Sequence, residues 1–419
     1  MRKPTPESQP TPDRPLLTAG RILALVVTLG VSSPWFLSRV LAADGRIDTP
    51  SHLLLLWIAW PVVVLGGYAT LFRGAAVRGW MRARWPSVLG VALVTVLSLA
   101  VAEVTVRVLG PRLQPREFEV ENVEFSYHVS LNQERFRDGP FSRRRRAGTQ
   151  RVLFIGDSFV YGAGVGQAET IPTLLEQQIP GLDVFNLGVT GASTFDYVTI
   201  ARRFADYETD GVVLGLYVDN DMYPAPAPRP RLQLWALFER VATELLADCP
   251  YPFVPLLHID PAYERLACDG RINPHLASRA ASAPTEAAWY AELLARWRTT
   301  PALRENILAV RDLFRTRPFL VVLFPSKYQL AAPYSPELLR LGFHPGTVPV
   351  GDALQREMVA FLDSAGVASL DLLPVLRAAR AAGEGDAYYA IDDHFNVHGN
   401  RLAARALEPW IRDHVLSNR

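Results

Sequence analysis

The long apolar runs of this chain are confined to its first 110 residues, and that unevenness constrains the fold more than any average does. Three stretches, at about 20–42, 52–72 and 86–108, stand out. Each holds roughly 20 residues, and a helix of that length, rising about 1.5 Å per residue, crosses about 30 Å of hydrocarbon. Pro34, Pro61, Gly66 and Gly67 would weaken helices in water, yet membrane helices tolerate them. Trp35, Trp57, Trp60, Trp80 and Trp85 fall towards the segment ends, where interfacial aromatics collect. The pattern predicts a Pro/Ser/Thr-rich tail over 1–19 and a membrane region with three transmembrane helices over 20–110.

The arginines predict an orientation. Arg2, Lys3 and Arg14, with Arg21 at the very start of the first segment, lie on its N-terminal side, and Arg73, Arg78, Arg82 and Arg84 follow the second, whereas the first loop offers only Arg39 and Arg46. Short cytoplasmic loops carry the excess of positive charge, so the N-terminus is expected inside and everything beyond about residue 110 outside. In a Gram-negative cell this means the inner membrane, with the C-terminal domain in the periplasm. A signal peptide cleaved near Val40–Ala43 is the alternative for the first segment, and it leaves that domain on the same side.

A formal net charge of +1 supplies no field for nucleic acid, and no nucleic-acid motif is present. Cys249 and Cys268 lie in no CxxC or Cys/His cluster, which argues against structural zinc. A disulfide between them would close a short loop and contribute about 2–4 kcal/mol; two unpaired thiols are the alternative. Residues 111–150 read as a polar connector, and its run Arg143–Arg146 as a solvated face, with contact to anionic headgroups as the rival reading.

From Arg151 onwards short β-branched runs alternate with helical patterns. The runs are Val152–Ile155, Asp183–Asn186, Val212–Val218, Phe319–Phe324 and Val367–Asp371, with helices expected near 169–178, 193–206, 352–365 and 399–413. Strands separated by helices predict an α/β fold with a flavodoxin-like doubly wound parallel sheet over 151–419. The stretch 222–300 breaks the rhythm, ends in a helical pattern near 286–297, and reads as an insertion, either a lid over the strand ends or a structural decoration.

In such sheets ligands bind outside the carboxyl ends of the strands, so the residues that follow each strand matter most. They are Gly156-Asp157-Ser158-Phe159, then Asn186-Leu187-Gly188-Val189-Thr190-Gly191, then Asp219-Asn220-Asp221, and, before the last helix, Asp392-Asp393-His394-Phe395-Asn396. These four blocks, in this order, resemble the SGNH (GDSL-type) hydrolase family over roughly 150–225 and 316–413. The resemblance implies Ser158 as nucleophile and His394 as its base. It implies an oxyanion hole made by the N–H groups of Ser158 and Gly191 and the side chain of Asn220. Gly188 competes with Gly191 for that role. The chain departs from the commonest family pattern in one place: Ile391 stands three residues before His394, where an Asp is usual. Asp392 and Asp393 are the candidates for the orienting acid. In an extended segment residues two apart share a face, which favours Asp392, a spacing seen in some polysaccharide-acetylating relatives. His394 and His398 are four residues apart, a spacing that chelates zinc on a helix, but no third ligand is apparent and no cofactor is expected.

The expected function is hydrolysis of an acyl, for instance acetyl, ester on an envelope glycan or lipid through an acyl–Ser158 intermediate. A polysaccharide O-acetyltransferase would use the same residues, and three spans suggest that it would need a separate multi-span partner to supply the acyl group. A non-catalytic glycan-binding or assembly protein is the third reading.

Overall fold

The computed structural model describes residues 50–113, 115–222, 286–330 and 351–417, with isolated positions elsewhere; within 50–113, side chains are described over 57–69, 93–108 and at scattered sites. The expected tail, nearly all of the first apolar segment, Cys249, Cys268 and nearly all of 223–285 lie outside the described residues. The chain divides into two compact units, one of Met1–Leu113 with Pro230–His258, the other of Gln114–Arg229 with Ile259–Arg419.

In the first unit, helix α1 spans Pro50–Leu113 and contains both the second and the third apolar segments. The loop expected between them is helical, with one break in backbone geometry at Arg73. Arg78, Arg82 and Arg84 therefore lie on a helix rather than in a turn. Among the described residues no helix is long and apolar enough to cross a membrane. Within 57–69 and 93–108 apolar side chains face outward: Val62 is 69% exposed, Leu65 66% and Val101 66%.

The second unit is built on a five-stranded parallel sheet of β3 (Gln150–Gly156), β4 (Leu182–Gly188), β5 (Gly211–Tyr217), β6 (Phe319–Phe324) and β7 (Ala368–Asp371). Its order, β4-β3-β5-β6-β7, is the flavodoxin-like order expected from the alternating pattern. Every residue of β3, β4, β5 and β6 is buried, because helices cover both faces and leave no polar side. Val152, Phe154, Val184, Val213, Leu320 and Val322 share one core with helices α3 (Ile171–Gln178), α8 (Leu372–Ala381) and α9 (Val397–Ile411). Helix α4 (Thr194–Phe204) packs on β3 and on α6 (Pro301–Leu313), while α7 (Ala353–Ser364) packs on β7 and α5 (Glu286–Thr299) on α7. The one-turn helix α2, Ser158–Tyr161, follows β3 directly.

The connector reading of 111–150 is corrected. Strands β1 (Glu117–Glu121) and β2 (Ser126–Ser130) form an antiparallel hairpin within the second unit, which begins at Gln114 rather than Arg151. In β2 the residues alternate between exposed and buried, and Tyr127 and Val129 pack with Tyr161 and Ala163. Buried Arg137 ties the strand to the loop beyond α2, donating to the carbonyls of Gly162 at 2.6 Å and Val165 at 2.7 Å. Its guanidinium lies 4.6 Å from the centre of the Tyr127 ring. Arg143–Arg146 are exposed.

Candidate active site

The buried carboxylate of Asp157 accepts the Phe159 N–H at 3.0 Å and so caps the short α2. This capped turn puts Ser158 at the carboxyl rim of β3. On the far side, Asn396 caps α9 by accepting the Gly399 N–H at 3.0 Å, and its amide donates to the carbonyls of Asp386 and Tyr388. A Cβ on Gly399 would lie 2.1 Å from the Ala387 carbonyl oxygen, so only glycine lets α9 start this close to the preceding segment. His394 stands just ahead of that cap.

The structure brings Ser158, His394 and Asp392 together. His394 Nε2 is 2.8 Å from Ser158 Oγ, and His394 Nδ1 is 2.6 Å from Asp392 Oδ1. The same Oδ1 accepts the backbone N–H of His394 at 2.9 Å. The segment is a run of bends rather than extended chain. Asp392 reaches the ring through this local turn, in which a short acid side chain binds the backbone two residues on, and not through the shared strand face argued from sequence. Asp393 faces elsewhere: it is buried, accepts the Tyr328 hydroxyl at 2.8 Å, and lies 3.2 Å from Lys327 Nζ.

The electrostatics follow from this packing. Burial pushes the Asp392 carboxyl up, but the facing His394, two hydrogen bonds from it and nearby Lys327 outweigh that and hold it below its ordinary value. Burial works the opposite way on His394; Asp392, with Asp157 and Asp393 behind it, leaves the imidazole with a raised pKa. Burial lifts Asp157 to about 6, against the pull of the Phe159 N–H, His394 and the Asn220 side chain. Deeper still, buried Asp221 accepts the Tyr197 hydroxyl at 2.8 Å and the Tyr217 N–H at 2.8 Å, and burial together with Asp157 drives it well above the carboxylate range.

Two glycines follow from β4 and differ in what their N–H groups do. The Gly188 N–H donates to the Asn186 side chain at 3.0 Å, and a Cβ there would sit 2.1 Å from the Tyr161 nitrogen. Gly188 is thus a packing residue with its donor in use. Gly191 is exposed, at φ +72, with open space around the position of a Cβ. Asn220 opens the turn after β5, on the same rim. His398 lies in the first turn of α9, and among the described residues no group of three or more His, Cys, Asp or Glu could hold a metal ion.

Sequence reasoning passed over Lys327. Its buried ammonium donates to the carbonyls of Ala390 at 3.3 Å, Ile391 at 2.9 Å and Asp392 at 3.0 Å, and so clasps the loop that carries the acid. A signal was there to find. Only Lys3 and Lys327 are lysines in an arginine-rich chain, and Lys327 follows β6 on the functional rim. A compact ammonium fits a ring of carbonyls better than a planar guanidinium.

No protein-family model and no curated protein matches this chain. Solved structures do align with it. One is a lipolytic G-D-S-L family member from Veillonella parvula, at 11% identity and TM-score 0.33 over 62% of this chain and 96% of that one. Another is a protein assigned to the same family from Desulfitobacterium hafniense, at 13% identity and TM-score 0.31 over 62% and 100%. A third is a protein assigned as an acylhydrolase from Bacteroides fragilis, at 12% identity and TM-score 0.32 over 64% and 90%. Likenesses this distant carry no functional weight, and the reading below rests on the geometry of the site.

Proposed function

We propose that this chain is a membrane-anchored serine ester hydrolase of the SGNH type, acting outside the cytoplasm on acyl esters of an envelope glycan or lipid. The observation that carries the reading is the continuous hydrogen-bond chain from Ser158 Oγ through His394 to Asp392, at the carboxyl rim of a doubly wound sheet. A serine hydroxyl becomes a competent nucleophile when a positioned base removes its proton in the transition state. His394 Nε2 is within reach to do so, while Asp392 fixes the tautomer and stabilises the imidazolium. Ser158 Oγ attacks the ester carbonyl carbon, and the resulting oxyanion is met by the N–H groups of Ser158 and Gly191 and by the Asn220 amide. Each such donor is worth roughly 3–4 kcal/mol. Collapse releases the alcohol, which takes the proton from His394, and water then enters by the same route in reverse to free the acid.

The anchoring half of the reading rests on α1. Trp57, Ile58, Val62, Leu65, Leu97 and Val101 are all exposed, an outward apolar surface that suits hydrocarbon better than water. The excess of arginine and lysine before the first apolar segment supports the reading that the second unit lies outside.

The test uses the full chain in detergent, with a fluorophosphonate probe and p-nitrophenyl acetate. Wild type should label and turn over, and Ser158→Ala should lose both, turnover falling by more than about 10,000-fold. An unlabelled, well-folded wild type would reject the reading. Added glycan hydroxyls that divert the acyl group from water would instead make the protein a transferase using the same site.

A further inference from the structure

The hairpin read from sequence as a connector reaches the catalytic loop through a single side chain. Glu124, at the β1–β2 turn, accepts the backbone N–H groups of Ala390 at 2.7 Å, Ile391 at 2.9 Å and Asp392 at 2.6 Å. Lys327 holds the carbonyls of those same three residues. Three consecutive residues are thus gripped by a carboxylate through their N–H groups and by an ammonium through their carbonyls. The contact is reinforced nearby: the Phe125 and Tyr389 rings lie 4.9 Å apart, and the Tyr389 hydroxyl donates to the Gly164 carbonyl at 2.6 Å. Through Arg137 the same hairpin segment also holds the loop beyond Ser158.

Backbone N–H groups in a bend have no ladder partner and must find an acceptor, and an ionised carboxylate is the strongest one available. Three N–H groups converging on one anion fix the loop more stiffly than water would. The residue at the end of this grip is Asp392, whose bond to His394 Nδ1 is 2.6 Å long. We propose that Glu124 is a positioning residue for the proposed serine hydrolase, holding Asp392, and through it His394, in register with Ser158. The inference rests on the serine-hydrolase reading and extends its machinery to the hairpin.

The experiment compares full-length wild type, Glu124→Ala and Glu124→Gln in detergent, with folding checked by circular dichroism. It follows fluorophosphonate labelling and the pH profile of p-nitrophenyl acetate turnover. A misplacement of about 1 Å costs about 100-fold. Glu124→Ala should therefore lose that order of kcat with little change in KM. Its acid limb should move to lower pH, because His394 loses part of the Asp392 charge that raises its pKa. Glu124→Gln keeps the size and one acceptor oxygen, so it should fold, recover part of the lost kcat and show a smaller shift of the limb in the same direction. A merely structural residue would lower the yield of folded protein and leave the limb in place. Wild type that labels, with folded Glu124→Ala matching it in kcat and pH limb, would overturn this inference alone. Wild type that fails to label would take the serine reading down with it.

Discussion

The two ends of the parallel sheet handle charge in opposite ways. At the amino ends, buried Arg151 on β3 donates to Asp183 on β4 at 2.9 Å and to the Ser142 carbonyl at 2.7 Å, stacks 4.2 Å from the Phe185 ring, and passes its own N–H to Asp210. Each charge there meets an opposite one. At the carboxyl ends acids are packed behind acids: Asp157 adds to the upward shift that burial gives Asp221, and His394 and Asp392 move each other's pKa in opposite directions. Paired charges hold a fold together, whereas buried groups left in tension are those that can take and give protons. The comparison implies that damage at one end should show as lost stability and damage at the other as lost turnover.

The largest expected effect tests the carboxyl end. Asp392→Asn keeps the shape but removes the charge that sets the imidazole, and kcat should fall about 1,000- to 10,000-fold. Asp393→Asn touches Tyr328 and Lys327 instead, so its loss of kcat should be far smaller. Equal losses in steady-state assays would erase the distinction between the two acids. At the amino end, Arg151→Ala strips Asp183 of its buried partner and should destabilise the fold by about 3–5 kcal/mol in urea melts, with kcat of the folded protein unchanged. A kinetic defect without a stability loss would break the comparison.

The smallest effect is in the pH dependence of stability. Burial first of all raises Asp138 from 3.8 to about 7 and Asp157 from 3.8 to about 6. A raised acid holds its proton more tightly in the folded state than in the unfolded one. These groups therefore favour the fold below 3.8, and that contribution is lost as pH rises to about 7. Asp138→Asn should flatten this decline between those limits. Parallel stability curves for wild type and variant would contradict it.

How much the sequence disclosed depended on where each signal was written. Strands β5 and β6 and the body of β3 are buried on both faces and so appear as unbroken apolar runs, while β4 carries Asp183 and Asn186 among its apolar residues. The hairpin strands EFEVE and SYHVS alternate apolar with charged or polar residues and were hidden in a polar stretch. Helix α6, starting at Pro301 just past the supposed insertion, and α8, directly after β7, were passed over for lack of a loop to announce them. Ser158, His394 and Asp392 were legible because their residue types and their order along the chain are distinctive. Glu124 and Lys327 were not, because they act on backbone groups, and no residue type marks which peptide units a distant carboxylate or ammonium will hold.

The central claim is that Ser158 carries the acyl group. The most direct measurement is mass spectrometry of the full chain quenched during turnover of p-nitrophenyl acetate, followed by peptide mapping. An acetyl adduct on the peptide containing Ser158, absent in Ser158→Ala, is the predicted result. Turnover with no adduct, or an adduct on another residue, would contradict the account.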